Sequence, residues 1–594
     1  MGSSPSLTFF VSIPGNRHAG GLPLKASINL RSFHIIGLVL LLLQSGCSRE
    51  SATSLIDRPS NASPNILLIV VDDVGYSDIG VYGSEIAMPN IDALASQGLM
   101  LTQFHVSPNC GPTRGALMTG VDPHRAGMGG NHGANAPNQN GQPGYEGHLR
   151  SDVVTIAQLL RDAGYHTYMT GKWHLGKGDN NPASRGFEKS FALLNGAASH
   201  WADQEPIIPG SATRYTSDGE LVDVLPDDFY SSNWYTDRLI EYIETGNGDE
   251  APFFAFLSFT APHNPLHVPR EYIDKYRGRF DMGWDQLALD RLTRMRALGL
   301  VGENQVPHPR PEWVMAWDEL SQEQQAMRAR DMEIYAGMLD YVDESIGRVF
   351  EHLKQTGDYE NTLIVLMSDN GPSKTSITDY LALGGKGGEF FNKFDNSLEN
   401  KGLPGSSTDI GPGWAYAAAT PLRLFKGYVT QGGIQVPAVV KLPGNMPNAG
   451  GRSDDVIHVM DLMPTFLSVA GADYPKVYNG ESIVPLQGRS FLPLLNGEAS
   501  SVVEPRGLGW SAYGMDAYRQ GRWKVLRLPE PYGNGNWQLY DLSTDPGEVN
   551  DLASQFPDRT LLMAKAWQDY ANANGVIPPT VPTAYSKPVI GRKH

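Results

Sequence analysis

The chain has 594 residues, of which 41% are hydrophobic and 19% are charged, which is typical of a globular protein with room for more than one domain. Its formal net charge of −17 argues against a nucleic-acid partner, because such a partner requires basic patches. The same charge means that an anionic substrate would need a locally cationic pocket.

The first 47 residues (1–47) resemble an export signal. A basic flank containing Arg31 precedes the apolar run 35–43, which is too short to span a bilayer. Ser45-Gly46-Cys47 resembles a bacterial lipoprotein cleavage site, at which Cys47 would become the lipidated first residue, although Gln44 departs from that pattern. The alternative is cleavage nearby, with Cys47 discarded. We expect an exported protein, periplasmic or anchored by lipid to the bacterial cell envelope, with residues 48–64 as a polar linker.

Strand and helix patterns alternate through the middle of the chain. The unbroken apolar run 65–71 is typical of a strand buried on both faces of a parallel sheet. Further strands are predicted at 165–170, 252–259 and 362–367, and helices at 89–98 and 151–164. This alternation predicts an α/β domain over residues 65–500, with a mostly parallel, helix-covered sheet.

The last hundred residues have a different pattern. Short strands at 522–528 and 537–542 and a closing helix at 561–574 predict a smaller C-terminal α+β domain with an antiparallel sheet over residues 501–594.

Polar residues follow each of four predicted parallel strands. Asp72 and Asp73 come after the first, and Asp369 and Asn370 after the strand at 362–367. Lys172 and His174 follow the strand at 165–170, and His263 follows the strand at 252–259. Ligand sites of open α/β sheets lie outside the carboxyl ends of the strands, so these side chains are expected to share one pocket.

Three of these residues are carboxylates, and adjacent carboxylates repel unless a cation compensates. Asp72, Asp73 and Asp369 together with the Asn370 amide oxygen suit calcium or magnesium better than zinc. Either acidic motif alone would be an ordinary turn. Likewise, His263 alone would be a surface histidine, and Lys172 and His174 would be solvated loop residues. Only a shared pocket gives these residues a function.

Cys110 lies in the run Cys-Gly-Pro-Thr-Arg at 110–114. Pro112 and the residues after it predict a helix whose N-terminus, with its free N–H groups, carries Cys110. A thiolate nucleophile is disfavoured beside the carboxylates, and thiolate is not the preferred ligand of a hard cation. An oxygen nucleophile would suit this position better, while an inert buried cysteine is the ordinary alternative.

The run from Cys110 to Arg114, with Leu117-Met118-Thr119-Gly120 after it, resembles the signature of the type I sulfatases. The blocks Asp72-Asp73, 171–176, Pro262-His263, Asp369-Asn370-Gly371 and 421–437 also match that family, in order. The chain is most similar to secreted bacterial arylsulfatases. Departures are Gly111, where a small hydroxyl residue is common, Thr113, where many members have serine, and Gln431, where many have glutamate.

The resemblance implies an alkaline-phosphatase-like sulfatase fold and hydrolysis of sulfate monoesters to an alcohol or phenol plus sulfate. It implies that Cys110 is oxidised to formylglycine by a formylglycine-generating enzyme, and that one calcium ion is bound. The calcium ligands would be Asp72, Asp73, Asp369, Asn370 and the modified residue 110. Arg114 would hold the hydrated aldehyde, and the sulfate would be surrounded by Lys172, His174, His263 and Lys426.

The same resemblance implies an order of proton transfers. One hydroxyl of the hydrate would attack sulfur while His263 or Lys426 protonates the departing alcohol. His174 would then deprotonate the second hydroxyl, which releases sulfate.

Three other functions stay open on the sequence. A phosphate or phosphonate monoesterase of the same superfamily can share the fold, although a two-metal site would need more histidine and aspartate ligands. A calcium-dependent, sulfated-glycan-binding lipoprotein would keep Cys110 as a thiol. A cysteine hydrolase would leave the aspartate cluster without a use. The motifs therefore favour a sulfatase.

Overall fold

The computed structural model describes residues 63–581 except 132, 247, 378–384, 500 and 502–505. The predicted export signal at 1–47 and linker residues 48–62 lie outside the described residues. Within the described part of the chain, no helix combines the length and the apolar character needed to cross a membrane.

The strands agree closely with the apolar runs of the sequence, and the parallel ones are almost completely buried. In chain order they are β1 Asn65–Val71, β2 Leu99–Leu101, β3 Phe104–His105, β4 His166–Lys172, β5 Lys189–Leu193, β6 Tyr215–Ser217, β7 Glu220–Val222, β8 Phe253–Ser258, β9 Thr362–Ser368, β10 Gln435–Val436, β11 Ala438–Lys441, β12 Gly451–Ser453, β13 Ile457–His458, β14 Val477–Tyr478, β15 Glu481–Ser482, β16 Gly507–Ala512, β17 Met515–Gln520, β18 Trp523–Arg527 and β19 Trp537–Asp541.

A ten-stranded sheet forms the centre of the molecule, in the order β12-β2-β11-β9-β1-β8-β4-β5-β6-β7. Strands β9, β1, β8, β4 and β5 pair with one another in parallel. At the two sides of this group, β11 pairs antiparallel with β9 and β6 pairs antiparallel with β5, and β7 is antiparallel to β6. All seven residues of β1 are buried, which explains why this segment is apolar without alternation. The predicted mostly parallel sheet is confirmed.

Helices cover the sheet. Those of the described residues are α1 Pro89–Gln97, α2 Cys110–Thr119, α3 Pro123–Ala126, α4 Ile156–Asp162, α5 Ser231–Gly246, α6 Arg270–Lys275, α7 Gly283–Ala297, α8 Gln322–Thr356, α9 Gly385–Phe391, α10 Gly411–Ala419, α11 Gln431–Ile434, α12 Leu462–Ala470, α13 Leu492–Leu495 and α14 Pro557–Asn574.

Two predicted helix starts were wrong. Helix α4 begins five residues later than expected, since Thr155 and Gln158 form a capping box that fixes its first turn. Helix α14 begins at Pro557 and not at 561, because proline at the first helical position loses no hydrogen bond.

A four-stranded antiparallel sheet, β16-β17-β18-β19, follows the central sheet in the chain. Helix α14 packs on β16 to β19. The predicted antiparallel pairing of the two last strands is confirmed. The boundary between residues 500 and 501 stays a prediction.

Candidate active site

The acidic motifs lie side by side at the carboxyl edge of the sheet. Strands β1 and β9 pair in parallel so that Val71 is opposite Ser368, which places Asp72 and Asp73 next to Asp369 and Asn370. All four side chains are buried. The Asn370 amide donates to Asp73 Oδ1 at 2.6 Å, and the Asp73 backbone N–H donates to Asp369 Oδ1 at 3.4 Å. The two strand ends therefore form one cluster.

Helix α2 points its N-terminus at this cluster. Cys110 is its first residue, and a metal-ligating atom of Cys110 lies within 4.8 Å of carboxylate oxygens of Asp72 and Asp369. The N-cap residue Asn109 makes no side-chain cap; its amide donates instead to the Tyr513 hydroxyl at 3.2 Å. The predicted position of Cys110 at a helix N-terminus is confirmed.

Arg114, one turn along α2, is buried between both strand ends and β4. Its Nε donates to Asp369 Oδ2 at 2.9 Å, and its Nη1 donates to the Lys172 carbonyl at 2.8 Å and to Ser258 Oγ at 2.5 Å. Burial disfavours the charged form, but Asp369 and Asp72 outweigh it and raise the pKa of the guanidinium. Arg114 therefore stays charged.

Two lysines lie against the two adjacent carboxylates. Lys172 Nζ pairs with Asp72 Oδ2, and Lys426 Nζ lies 2.5 Å from Asp73 Oδ1. Both lysines are buried. Lys172 is the last residue of β4, so the strand extends two residues beyond its predicted end at residue 170. The reason is that the buried strand continues through Gly171, where a Cβ would collide with the Ser258 carbonyl at 1.8 Å.

Of the two predicted histidines, His263 contacts the cluster and His174 lies near Gly111. His263 Nε2 lies 3.6 Å from Asp73 Oδ2, and its Nδ1 donates to the Asn264 carbonyl at 2.7 Å. Burial, with Lys426 and Lys172 nearby, holds the pKa of His263 well below its usual value. His174 has a left-handed backbone with φ of 58°. Its ring atom Cε1 lies 3.7 Å from the place that a Cβ on Gly111 would occupy, next to Cys110.

The structure thus brings all the residues that the sequence singled out for the site into one region.

Comparisons with known proteins agree with this geometry. The family model described as Sulfatase matches residues 64–472. The chain is 39% identical to an uncharacterized sulfatase of Schizosaccharomyces pombe, over 86% of this chain and 94% of that protein. It is 38% identical to an arylsulfatase of Klebsiella aerogenes, over 72% of this chain and 91% of that protein.

The chain belongs to the sulfatase family. Among solved structures, it is similar to Ps i-CgsB, crystallised in complex with k-i-k-neocarrahexaose, with a TM-score of 0.61 and 25% identity over 86% of this chain and 93% of that one. The predicted sulfatase fold, with its large mostly parallel sheet and smaller antiparallel sheet, is confirmed.

The sulfatase has buried oxygen atoms without partners at the point where a metal ion would bind. Asp72 Oδ1, Asp73 Oδ2 and Asn370 Oδ1 are buried and accept no hydrogen bond. Burial raises the pKa of the Asp72 carboxyl, which Lys172 opposes, and burial together with Asp72 raises the pKa of Asp369. A bound cation would oppose both shifts and satisfy the three oxygens. The residues present therefore fit a divalent metal.

Two serines of the sulfatase site were not predicted. Ser258 Oγ donates to the Lys172 carbonyl at 2.7 Å and accepts from Arg114. Ser368 Oγ donates to the Asn370 carbonyl at 2.8 Å and accepts from the Val74 backbone at 3.0 Å. Ser258 ends β8 and Ser368 ends β9, so the strand-end rule could have found both.

Asn131 was also missed. It lies in a glycine-rich loop after α3 and contacts both Cys110 and Gly111. A single asparagine in such a loop carries no periodic or motif signal that connects it with a cysteine 21 residues earlier.

Proposed function

We propose that this sulfatase hydrolyses sulfate monoesters with residue 110 as the nucleophile, after oxidation of Cys110 to formylglycine, and with one bound calcium ion. The observation that carries the proposal is the position of Cys110. It begins a helix that faces the carboxylates of Asp72 and Asp369, and Arg114 from the same helix holds Asp369. A thiol has little use there, whereas an oxygen nucleophile beside a hard cation does.

Asp72, Asp73, Asp369, Asn370 and the modified residue 110 would hold the metal. The Asp and Asn residues offer oxygen donors, which suit calcium, and three of their oxygens have no other partner. When bound, the ion would supply Lewis-acid polarisation and charge neutralisation at the reacting oxygens.

The cationic side chains around the carboxylate cluster would bind the substrate. Lys172 and Lys426 are buried beside Asp72 and Asp73, so both are positioned by carboxylates and not by solvent. Lys172, Lys426 and Arg114 balance the three carboxylates, so a bound dication would make the site locally cationic inside a protein of net charge −17, as an anionic ester requires. In a water-poor pocket such charges stabilise a developing sulfuryl group strongly.

Proton transfers fall to the residues at the edge of the cluster. One hydroxyl of the hydrated aldehyde gives its proton to Asp369, next to residue 110, as its oxygen attacks sulfur, and the bond from sulfur to the ester oxygen breaks. Lys426, whose Nζ pairs with Asp73, gives a proton to that oxygen. The other predicted donor, His263, is neutral because its pKa is held low, and its one N–H already donates to the Asn264 carbonyl. His174, near Gly111, takes the proton of the second hydroxyl, so that the aldehyde re-forms and sulfate leaves.

The same proposal assigns a maturation partner and a location. A formylglycine-generating enzyme would oxidise Cys110, and the signal at residues 1–47 would direct export to the periplasm or to a lipid anchor at Cys47. Substitution of Cys47 by alanine should leave hydrolysis unchanged but release the protein from the membrane fraction. Equal membrane association of both forms would contradict the lipid anchor.

Chelation tests the metal part of the proposal. Purified enzyme should hydrolyse 4-nitrophenyl sulfate, lose this activity in a strong chelator and regain it with calcium. Full activity in the chelator, with no tightly bound metal by elemental analysis, would contradict the proposal.

A further inference from the structure

Asn131 holds the first turn of α2 and residue 110 with one amide group. Its Oδ1 accepts from the Gly111 backbone N–H at 3.1 Å, which is one of the helix N–H groups that the N-cap side chain leaves unsatisfied. Its Nδ2 donates toward Cys110 Sγ at 4.0 Å. The Sγ atom stands in for an oxygen of the aldehyde hydrate, so the amide group lies beside the reacting position as well as the backbone next to it.

Gly111 makes room for this contact. A Cβ at position 111 would lie 2.7 Å from Asn131 Oδ1, which is closer than real Cβ contacts come, and 3.1 Å from Met128 Cε. The Met128 methyl group is the end of a flexible side chain and can move, whereas the Asn131 oxygen is fixed by its hydrogen bond. Glycine at 111 and asparagine at 131 are thus one matched pair.

Asn131 and His174 both lie close to Gly111. The Cβ position on Gly111 lies 2.7 Å from Asn131 Oδ1 and 3.7 Å from His174 Cε1. Both side chains therefore lie at the first turn of α2, beside residue 110, and carboxylate oxygens of Asp72 and Asp369 lie within 4.8 Å of the ligand atom of Cys110.

We propose that Asn131 is a further catalytic residue, which donates a hydrogen bond from Nδ2 to the second hydroxyl of residue 110. The proposal rests on the function proposed above. In the sulfate-release step His174 takes the proton of this hydroxyl, its oxygen becomes the aldehyde oxygen, and the bond from carbon to the sulfated oxygen breaks with its electron pair leaving on sulfate. The Asn131 amide stabilises the negative charge on the hydroxyl oxygen as the proton leaves.

The test compares product release in the first and later turnovers. With 4-nitrophenyl sulfate, Asn131→Ala should release one equivalent of nitrophenol at nearly the wild-type rate and then turn over about 100-fold more slowly, since one stabilising donor is gone. Asn131→Asp keeps the acceptor for the Gly111 N–H but loses the donor, so it should show the same burst. A role limited to capping α2 would leave Asn131→Asp without a burst.

Gly111→Ser is an independent test of the role of Asn131. As a single variant, Gly111→Ser should displace Asn131 and give the same burst of one equivalent of nitrophenol. In the double variant with Asn131→Ala, it should change the slow rate of later turnovers little. Asn138→Ala is the matched control, because Asn138 lies in the same loop but donates to the Pro578 carbonyl. It should behave as wild type.

The outcomes separate the two proposals. Wild-type enzyme with the aldehyde present and no sulfate-ester turnover would refute the proposed function. The role of Asn131 alone would be overturned if the wild type turns over normally but Asn131→Ala slows the first and the later turnovers equally. Additive losses for Gly111→Ser and Asn131→Ala would overturn it as well.

Discussion

Asp369 contacts three different parts of the site. It accepts from Arg114 and from the backbone of Asp73, and it lies next to Cys110. One side chain thus connects helix α2, the end of β1 and the proposed metal. The function of the site at the scale of single residues depends on such shared carboxylates.

Asp369→Asn should lower kcat for 4-nitrophenyl sulfate by at least about 100- to 1000-fold, the loss that follows removal of one electrostatic stabiliser. The amide cannot match the charge of Arg114, and it weakens the metal site. Steady-state kinetics and metal content measure both effects. Asp343→Asn, at a buried aspartate that accepts from the backbones of Asn90 and Ile91, is the control. Near-normal kcat in Asp369→Asn would exclude the assigned role.

Cys110→Ser tests why two oxygens are needed on one carbon. In a host that cannot convert serine to the aldehyde, the serine hydroxyl still begins α2 and can attack sulfur. The resulting sulfated serine has no second hydroxyl, so His174 has no proton to remove and sulfate stays bound. We expect at most about one equivalent of nitrophenol per enzyme, measured by rapid mixing, and sulfate on residue 110 by mass spectrometry. Multiple turnover by this variant would disprove the release step.

At the scale of elements, β18 is connected to the loop of Lys426 by a buried charge pair. Lys524 Nζ donates to Glu548 Oε1 at 2.6 Å, to Gln431 Oε1 at 2.9 Å and to the Val429 carbonyl at 2.8 Å. Glu548 in turn accepts from the Gln431 backbone at 2.9 Å. Burial lowers the pKa of Lys524 to about 8, although Glu548 opposes this. The C-terminal sheet thus orders the segment that carries Lys426.

Glu548→Gln should destabilise the fold by about 3–5 kcal/mol, since it leaves the Lys524 ammonium buried without a counter-charge. Activity should fall as well, because the Lys426 loop loses a fixed neighbour. The double variant Gln431→Glu/Glu548→Gln returns a carboxylate to Lys524 and should recover most of both losses. Denaturant unfolding and kcat measure them. If the double variant is no better than Glu548→Gln, the charge pair is not what orders the loop.

At the scale of the whole molecule, several histidines are buried in neutral form. Burial, with His267 nearby, lowers the pKa of His200 to about 3, and burial with Arg506 nearby lowers that of His458 to about 3. Burial lowers the pKa of His267 to about 4. Because each folded pKa lies below the unfolded value of about 6.5, the unfolded state binds the proton first. Their contribution to stability is complete above about pH 6.5 and is lost as the pH falls through their folded pKa values of about 4 for His267 and about 3 for His200 and His458.

His458→Asn removes one of these imidazoles and keeps an acceptor for the Met460 backbone N–H, which His458 Nδ1 accepts at 3.3 Å. The free energy of unfolding should fall less steeply with acid in this variant than in wild type. The difference should reach about 1.4 kcal/mol per pH unit between about pH 6 and pH 4, measured by denaturant unfolding. Parallel pH profiles would show that His458 is not buried in neutral form.

The parts of this fold and site that follow from local patterns could be predicted from the sequence. The apolar run of β1 predicts a buried parallel strand. The pairs Asp72-Asp73 and Asp369-Asn370 follow neighbouring parallel strands and must meet at one edge of the sheet, so the acidic cluster could be predicted. The start of α4 was wrong because the capping box of Thr155 and Gln158 overrides the apolar spacing before it. Asn131 could not be predicted, since its position depends on the path of a loop and on the absence of a Cβ at Gly111.

The central claim is that Cys110 is a precursor and not a working thiol. Mass spectrometry of the peptide that carries residue 110, from active enzyme made in a host with the oxidising machinery, tests it most directly. We expect a peptide that has lost its sulfur and that reacts with aldehyde probes, in proportion to the activity of the preparation. A fully alkylatable thiol at residue 110 in active enzyme would contradict the account.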